Sequence, residues 1–184
     1  SAASSSSSGA KESGGGGGAI EVEEEIAVHI CQNDKDNMVL VSSDCREAYG
    51  QAEKQWTGGR ATHGTKKGKY YYEATVVSKG ICRFGFSTMA AHTELGRDTH
   101  GFGYGGTGMK SHKNAFEKYG ENYGEGDTIG CYLDLDESKP RIVYSKNGSI
   151  LGEAFKLDEN VRKMAMFPAY VLKGAKVNIN FGQE

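Results

Sequence analysis

From Met38 onward, apolar and polar positions alternate with a period of two, the pattern of extended strands whose successive side chains face opposite ways. MVLVS (38–42) is a short apolar run closed by Ser-Ser-Asp, and in KYYYEATVV (69–77) Tyr70, Tyr72, Ala74 and Val76 oppose Tyr71, Glu73, Thr75 and Val77. ICRFGFS (81–87) sets Cys82, Phe84 and Phe86 on one face, and DTIGCYLDLD (127–136) points Ile129, Cys131, Leu133 and Leu135 inward. RIVYSKNGSILGEAF (141–155) carries Asn147-Gly148 between two extended runs, a hairpin signal because both residues accept positive φ. MFPAYVLKG and AKVNINFG add two more strands, the last expected to bury Val177, Ile179 and Phe181. Eight or more short strands with turn glycines and almost no helix predict an all-β fold, an antiparallel β-sandwich.

Two stretches depart from this pattern. In residues 1–18, 13 of 18 positions are serine or glycine, so little apolar surface offsets the entropy of ordering, and a flexible segment is expected. Residues 19–36 form an acidic lead-in with four glutamates between Glu21 and Glu25, readable as a short helix or an edge strand. That leaves 37–184 as the folded domain. Within it, Met89 to Gly126 is predicted as a long decorated loop with at most one short strand near GFGYGG, pinned to the body by Phe102, Tyr104, Phe116, Tyr119 and Tyr123.

The glycine run GFGYGGTGMKS (101–111) imitates a phosphate-binding loop. Gly103 and Gly108 have the required separation, but Met109 intervenes before Lys110 and Ser111, so the lysine misses its place at a helix N-terminus. Gly101, Gly103 and Gly106 match a dinucleotide fingerprint, yet no amphipathic helix follows them. The glycines therefore serve something other than a nucleotide.

The blocks QWTGGRAT, GKYYYE, CRFGFST, GFGYGGTGMKS, DTIGCYLDLD, YSKNGSILGEAF and MFPAYVLKGAKVNINFG, in that order, resemble a SPRY domain over roughly residues 37–184. They are most similar to the SPRY module inserted in the DEAD-box RNA helicase 1 subfamily, with GFGYGGTGMKSHK as the subfamily-specific part. Met109 stands where that subfamily usually has lysine, which removes one positive charge from the loop. The resemblance implies a B30.2-like, concanavalin-like jelly-roll sandwich with long surface loops. It also implies an intracellular RNA-processing setting, in nucleus and cytoplasm, and a parent protein that is an ATP-dependent helicase associated with tRNA-ligase assemblies. The chain has no Asp-Glu-Ala-Asp, no Ser-Ala-Thr and no true phosphate loop, so this stretch is expected to be a non-catalytic interaction module without cofactor. An auxiliary RNA-binding surface is the alternative.

Charge and cysteine usage narrow the chemistry. Residues 1–36 carry two lysines against seven acids, and the remaining 20 basic and 17 acidic residues give +3, a mild balance that favours a protein partner over a phosphate backbone. No run of 18 apolar residues exists, so no membrane partner is expected, and the isolated domain is expected to be monomeric. Cys31, Cys45, Cys82 and Cys131 lack metal-ligand spacing and read as reduced thiols, Cys82 and Cys131 as small core residues. The five histidines show no ligand spacing, and DLDESK lacks the glycine and glutamate of a calcium loop, having Lys139 and Ser145 there.

Between Arg60 and Arg83 the basic residues Lys66, Lys67, Lys69 and Lys79 face only Glu73; Lys66 and Lys67 read as a solvated loop. Arg60 and Arg83 lie in or beside strands, where a guanidinium either bridges a carboxylate or carbonyls from a neighbouring loop or presents to a partner, and both roles stay open. SPRY domains bind peptides through loops at one end of the sandwich. By that resemblance Tyr104, Lys110 and His112, with Ser111 and Lys113 beside them, are the partner-binding candidates, Tyr104 as the aromatic anchor and Lys110 at the rim.

Overall fold

The computed structural model describes residues 26–136 and 138–183. The Ser/Gly segment and the glutamate run lie outside them.

Among the described residues, fourteen strands follow one another as β1 (Ile30–Lys35), β2 (Val39–Val41), β3 (Glu47–Gly50), β4 (Thr57–Ala61), β5 (Lys69–Val76), β6 (Ile81–Ser87), β7 (Gly101–Gly105), β8 (Met109–His112), β9 (Ala115–Lys118), β10 (Thr128–Asp134), β11 (Arg141–Lys146), β12 (Ser149–Lys156), β13 (Phe167–Lys173) and β14 (Lys176–Asn180). They form two seven-stranded antiparallel sheets, ordered β1-β4-β13-β6-β7-β8-β9 and β12-β11-β10-β5-β14-β3-β2. One helical turn, α1 (Glu159–Arg162), is capped by Asp158, whose carboxylate accepts from the amides of Asn160 and Val161. The predicted sandwich is the observed one.

The inner faces meet in one core. Ile129, Cys131 and Leu133 of β10, Tyr72, Ala74 and Val76 of β5, and Val177 and Ile179 of β14 face Cys82, Phe84 and Phe86 of β6 and Phe102 and Tyr104 of β7. Phe181, expected inside the last strand, instead follows it and packs half-buried against Tyr72, ring centroids 5.6 Å apart. The four thiols are unpaired, and burial pushes Cys82 up to about 12 and Cys131 higher still, so both serve as packing groups.

Two expectations need correction. β1 pairs with β4 through Ile30 and Ala61, so the sandwich already includes residues placed in the lead-in before 37. The single strand expected between Met89 and Gly126 is three, β7, β8 and β9, joined by tight turns. At the second turn Lys113 and Asn114 both have positive φ (54° and 58°), a hairpin geometry their side chains do not advertise as Asn-Gly does.

The central strands of the first sheet, β4, β13, β6 and β7, are buried on both faces. The segment 88–100 folds over its outer side, where Leu95 packs with Ala169, Val171 and Trp56 in a second small cluster. This explains why β4, β7 and most of β6 and β13 read as continuous buried strands without polar alternation.

The Asn147-Gly148 turn forms as predicted, with φ of 48° and 83° and Lys146 paired to Ser149. A Cβ on Gly148 meets nothing within 4 Å, so a substitution there costs only the left-handed backbone. We expect Gly148→Ala to lower unfolding free energy by about 1 kcal/mol in urea titration. Gly124→Ala, equally open and without positive φ, should leave it unchanged.

Candidate functional site

The outer face of the first sheet is organised by two arginines. Arg60 of β4 is 7% exposed. Its Nε and Nη2 donate to the two carboxylate oxygens of Asp34 at 2.6 and 2.9 Å, and its Nη1 donates to the carbonyls of Thr88 and Ala91 at 3.3 and 3.1 Å. Arg83 of β6 is 6% exposed, and its Nη1 donates to the Leu95 carbonyl at 2.5 Å. The segment 88–95 is thus tied to the sheet at three carbonyls by two guanidinium groups. The structural role left open for both arginines is realised.

β7 supplies the floor. Strand alternation puts Phe102 and Tyr104 on the inner side and Gly101, Gly103 and Gly105 on the outer side. A Cβ on Gly103 would come within 2.6 Å of Arg83 Cδ and 2.8 Å of Cγ, whereas one on Gly105 would stand 3.7 Å from Arg83 Nε. The glycine run therefore makes room for an arginine stem. Period-two glycines inside a strand are the sequence signal for such close approach.

Above that floor Arg83 is framed by aromatic rings, its guanidinium carbon 4.7 Å from the Trp56 centroid and 5.3 Å from that of Phe116. Phe116 on β9 is 51% exposed, Trp56 is half-buried, and Lys173 Nζ lies 5.9 Å from the Trp56 ring. Among the described residues no carboxylate lies within ion-pairing distance of Arg83. Burial lowers its pKa, and the charge of Glu94 opposes that from a distance while Glu94 itself pairs with Arg97 at 2.9 Å. The sequence marks Arg83 and reads Phe116 only as a loop-pinning aromatic, and it gives no site signal for Trp56 or Lys173; the three lie on separate strands or strand ends.

The glycine-loop candidates divide between two faces. Tyr104 is fully buried: its hydroxyl donates to the Glu121 carbonyl at 2.5 Å, its ring lies 5.0–5.3 Å from those of Tyr119, Tyr123 and Tyr144, and burial pushes its pKa up to about 12. It is a core residue and offers a partner no surface, which corrects its role as anchor. Ser111 is also buried, under Gly96. Lys110 and His112 point to the inner side of β8, toward β12. There Lys110 Nζ donates to the Ala154 carbonyl at 2.9 Å and pairs with Glu117 at 3.4 Å, and the His112 ring stacks on Phe102 at 4.0 Å. With Lys113, Ala115 and Phe155 these residues line a groove of about 210 Å³. Of the glycine-loop candidates only Lys113 is exposed.

A further shallow groove of about 330 Å³ lies on the outer face of the second sheet, around Tyr71, Tyr132, Val143 and Ile150. Tyr71 and Tyr132 sit 4.6 Å apart. The cations at this rim are compensated, Lys69 lying 3.7 Å from Asp134 and 3.4 Å from Asp136, and Arg141 4.0 Å from Asp134. No group of His, Cys, Asp and Glu suited to a metal ion occurs among the described residues, and no described helix is long and apolar enough to cross a membrane.

Residues 69–184 match the SPRY domain family. The chain is 45% identical over 151 residues, 82% of its length, to ATP-dependent RNA helicase DDX1 of Xenopus laevis, and equally to ATP-dependent RNA helicase Ddx1 of Drosophila melanogaster. It is 34% identical over 140 residues to heterogeneous nuclear ribonucleoprotein U-like protein 2 of Mus musculus, covering 70% of this chain and 19% of that protein. The chain spans about a fifth of the length of the helicases it matches, 20% in each case. Among solved structures, the SPRY domain of human HERC1 superposes with a TM-score of 0.69 at 22% identity, over 84% of this chain and 99% of that one.

Two outcomes are expected from this geometry. Gly103→Ala, forced against the Arg83 stem and the sheet beneath it, should destabilise by about 1–3 kcal/mol, while Gly105→Ala should be near neutral; urea unfolding distinguishes them. For His112, the Nδ1–H donates to the Gly101 carbonyl at 2.8 Å, and burial lowers the pKa below its ordinary 6.5, Lys113 adding to that effect. A depressed histidine leaves the unfolded chain binding more protons, so its contribution is complete above 6.5 and lost as pH falls through the folded value. The thermal midpoint of the parent should fall on acidification from neutral pH, and His112→Phe should flatten that slope.

Proposed function

The chain belongs to the SPRY domain family, and from that premise we propose that it is a non-catalytic protein-interaction module of an ATP-dependent DEAD-box RNA helicase engaged in RNA processing. In that setting it works as a monomeric domain in nucleus and cytoplasm. The helicase relationship is supported by 45% identity to the two DDX1 helicases across four-fifths of the chain. Lys110, His112 and Lys113 line a lesser groove on the reverse side of the β8–β9 hairpin.

The observation that carries the reading is the frame around Arg83. Three surface cations elsewhere are answered within the fold: Lys110 by Glu117 at 3.4 Å, Lys146 by Glu121 at 3.2 Å, Lys176 by Glu47 at 2.8 Å. A net charge of only +3 over residues 37–184 offers a phosphate backbone little, which disfavours the auxiliary RNA-binding reading. Around Arg83, exposed aromatic area and uncompensated charge coincide, and interface hot spots are enriched in Trp and Arg.

We expect a tagged chain to retain partner proteins from nuclease-treated extract. A Trp56→Ala/Phe116→Ala variant should lose most of what is retained, while Tyr71→Ala keeps it. Retention that disappears with nuclease, or that survives the double variant and fails in Tyr71→Ala, would overturn the assignment to this face.

A further inference from the structure

The two arginines of the first sheet use the same fork differently. Arg60 commits Nη1 to loop carbonyls and presents its Nε/Nη2 edge to Asp34, a bidentate pair at 2.6 and 2.9 Å. Arg83 commits Nη1 to the Leu95 carbonyl in the same manner, and among the described residues its Nε and Nη2 have no acceptor. The Nε of that edge lies beside Gly105, where an added Cβ would stand 3.7 Å away in ordinary van der Waals contact, whereas one on Gly103 would clash with the stem. Trp56 and Phe116 border the opening.

Two cations stand near it. Lys173 Nζ stands 5.9 Å from the Trp56 ring. Lys118 follows Phe116 by two residues on exposed β9 and so shares its face. Glu94, the acid that acts on Arg83, is committed to Arg97.

We infer that the slot formed by Trp56, Arg83, Gly105 and Phe116 receives a carboxylate from an acidic peptide segment of a partner protein, bidentate on the Nε/Nη2 edge as Asp34 is on Arg60. This rests on the protein-interaction reading and names its chemistry. A carboxylate matches the planar fork, with two parallel N–H···O bonds strengthened by charge. An Asp or Glu side chain is slim enough to enter between two rings and reach a guanidinium that is 6% exposed. A phosphodiester backbone is bulkier and takes its affinity from rows of accessible cations, of which this face offers Lys118 and Lys173. Flanking acids of the peptide would meet those two lysines.

Trp56 is the single tryptophan, so its fluorescence reports on the slot itself. The chain is titrated with a blocked peptide of about ten Asp and Glu residues, its Asn/Gln counterpart, and oligouridylate of matching charge, with labelled-probe anisotropy in parallel. The acidic peptide should bind saturably and change Trp56 emission, and the neutral peptide should do neither. Lys173→Glu and Phe116→Ala, both at accessible positions, should each weaken it several-fold, and Arg83→Gln by roughly tenfold or more. Near-ultraviolet circular dichroism checks that Arg83→Gln keeps the fold; if it does not, the first two variants carry the test.

Three results would overturn the inference: no acidic-peptide binding up to millimolar concentration, oligouridylate binding more tightly with the same emission change, or peptide binding that leaves Trp56 and the Lys173→Glu affinity untouched. Loss of partner capture in the Trp56/Phe116 double variant without any acidic-peptide binding would leave the interaction reading standing and remove only the carboxylate. Peptide binding with capture unaffected would do the reverse.

Discussion

The clasp of two guanidinium groups on the carbonyls of Thr88, Ala91 and Leu95 is the constraint from which the rest of the first sheet follows. A segment of irregular backbone laid over a sheet brings polar carbonyls into a space that excludes water, and each must be answered. Arginine answers several at once from a long stem, with a charge that strengthens each bond. Once the segment is held, the sheet beneath it is closed on both sides, and β4, β6, β7 and β13 can be apolar or small on both faces. The glycines of β7 belong to the same arrangement, because a stem lying flat across a strand leaves no room for a Cβ at Gly103.

Burying two cations carries a desolvation penalty that only good partners offset. Arg60 has its partner in Asp34, held by β1, so its charge is neutralised inside the fold. Arg83 has carbonyl and aromatic contacts but no described carboxylate, and π-faces return only part of what water provided. Arg60 reads as stability. Arg83 combines stability with an unfilled valence at the surface, and that difference directs attention to the Trp56–Phe116 frame rather than to the loop tip.

The β8–β9 hairpin separates two environments four residues wide. Its inner side carries Lys110, His112 and Glu117, folded against Phe102 and Phe155 and largely satisfied there. Its outer side carries Ser111, sealed under Gly96, and Phe116, open beside Arg83. Residues adjacent in sequence thus do opposite work, since strand alternation sends each neighbour to the other face.

Period-two alternation and the Asn147-Gly148 turn sufficed to read the strands of the second sheet, the inward set Ile129, Cys131 and Leu133, and the sandwich itself, because those signals are local and each strand there has one wet face. The family blocks were legible for the same reason that they are contiguous. Local signals do not suffice for the short edge strands β8 and β9, which read as loop, or for β1, whose pairing with β4 is non-local and which falls before the expected domain edge. Tyr104 could not be placed from sequence, since a tyrosine among glycines looks like an exposed tip until the register Phe84↔Tyr104 turns it into the core. Arg60 and Arg83 were recognised as chemically special, but which of them keeps a free edge depended on Asp34 arriving from β1, 26 residues away in sequence. The frame around Arg83 gathers Trp56, Phe116 and Lys173 from positions 57 and more residues apart, and only the packing of β4, β13, β6 and β9 in one sheet brings them together. Sequence fixes which faces are dry and where chains turn, whereas which charge goes unanswered is a property of the assembled fold.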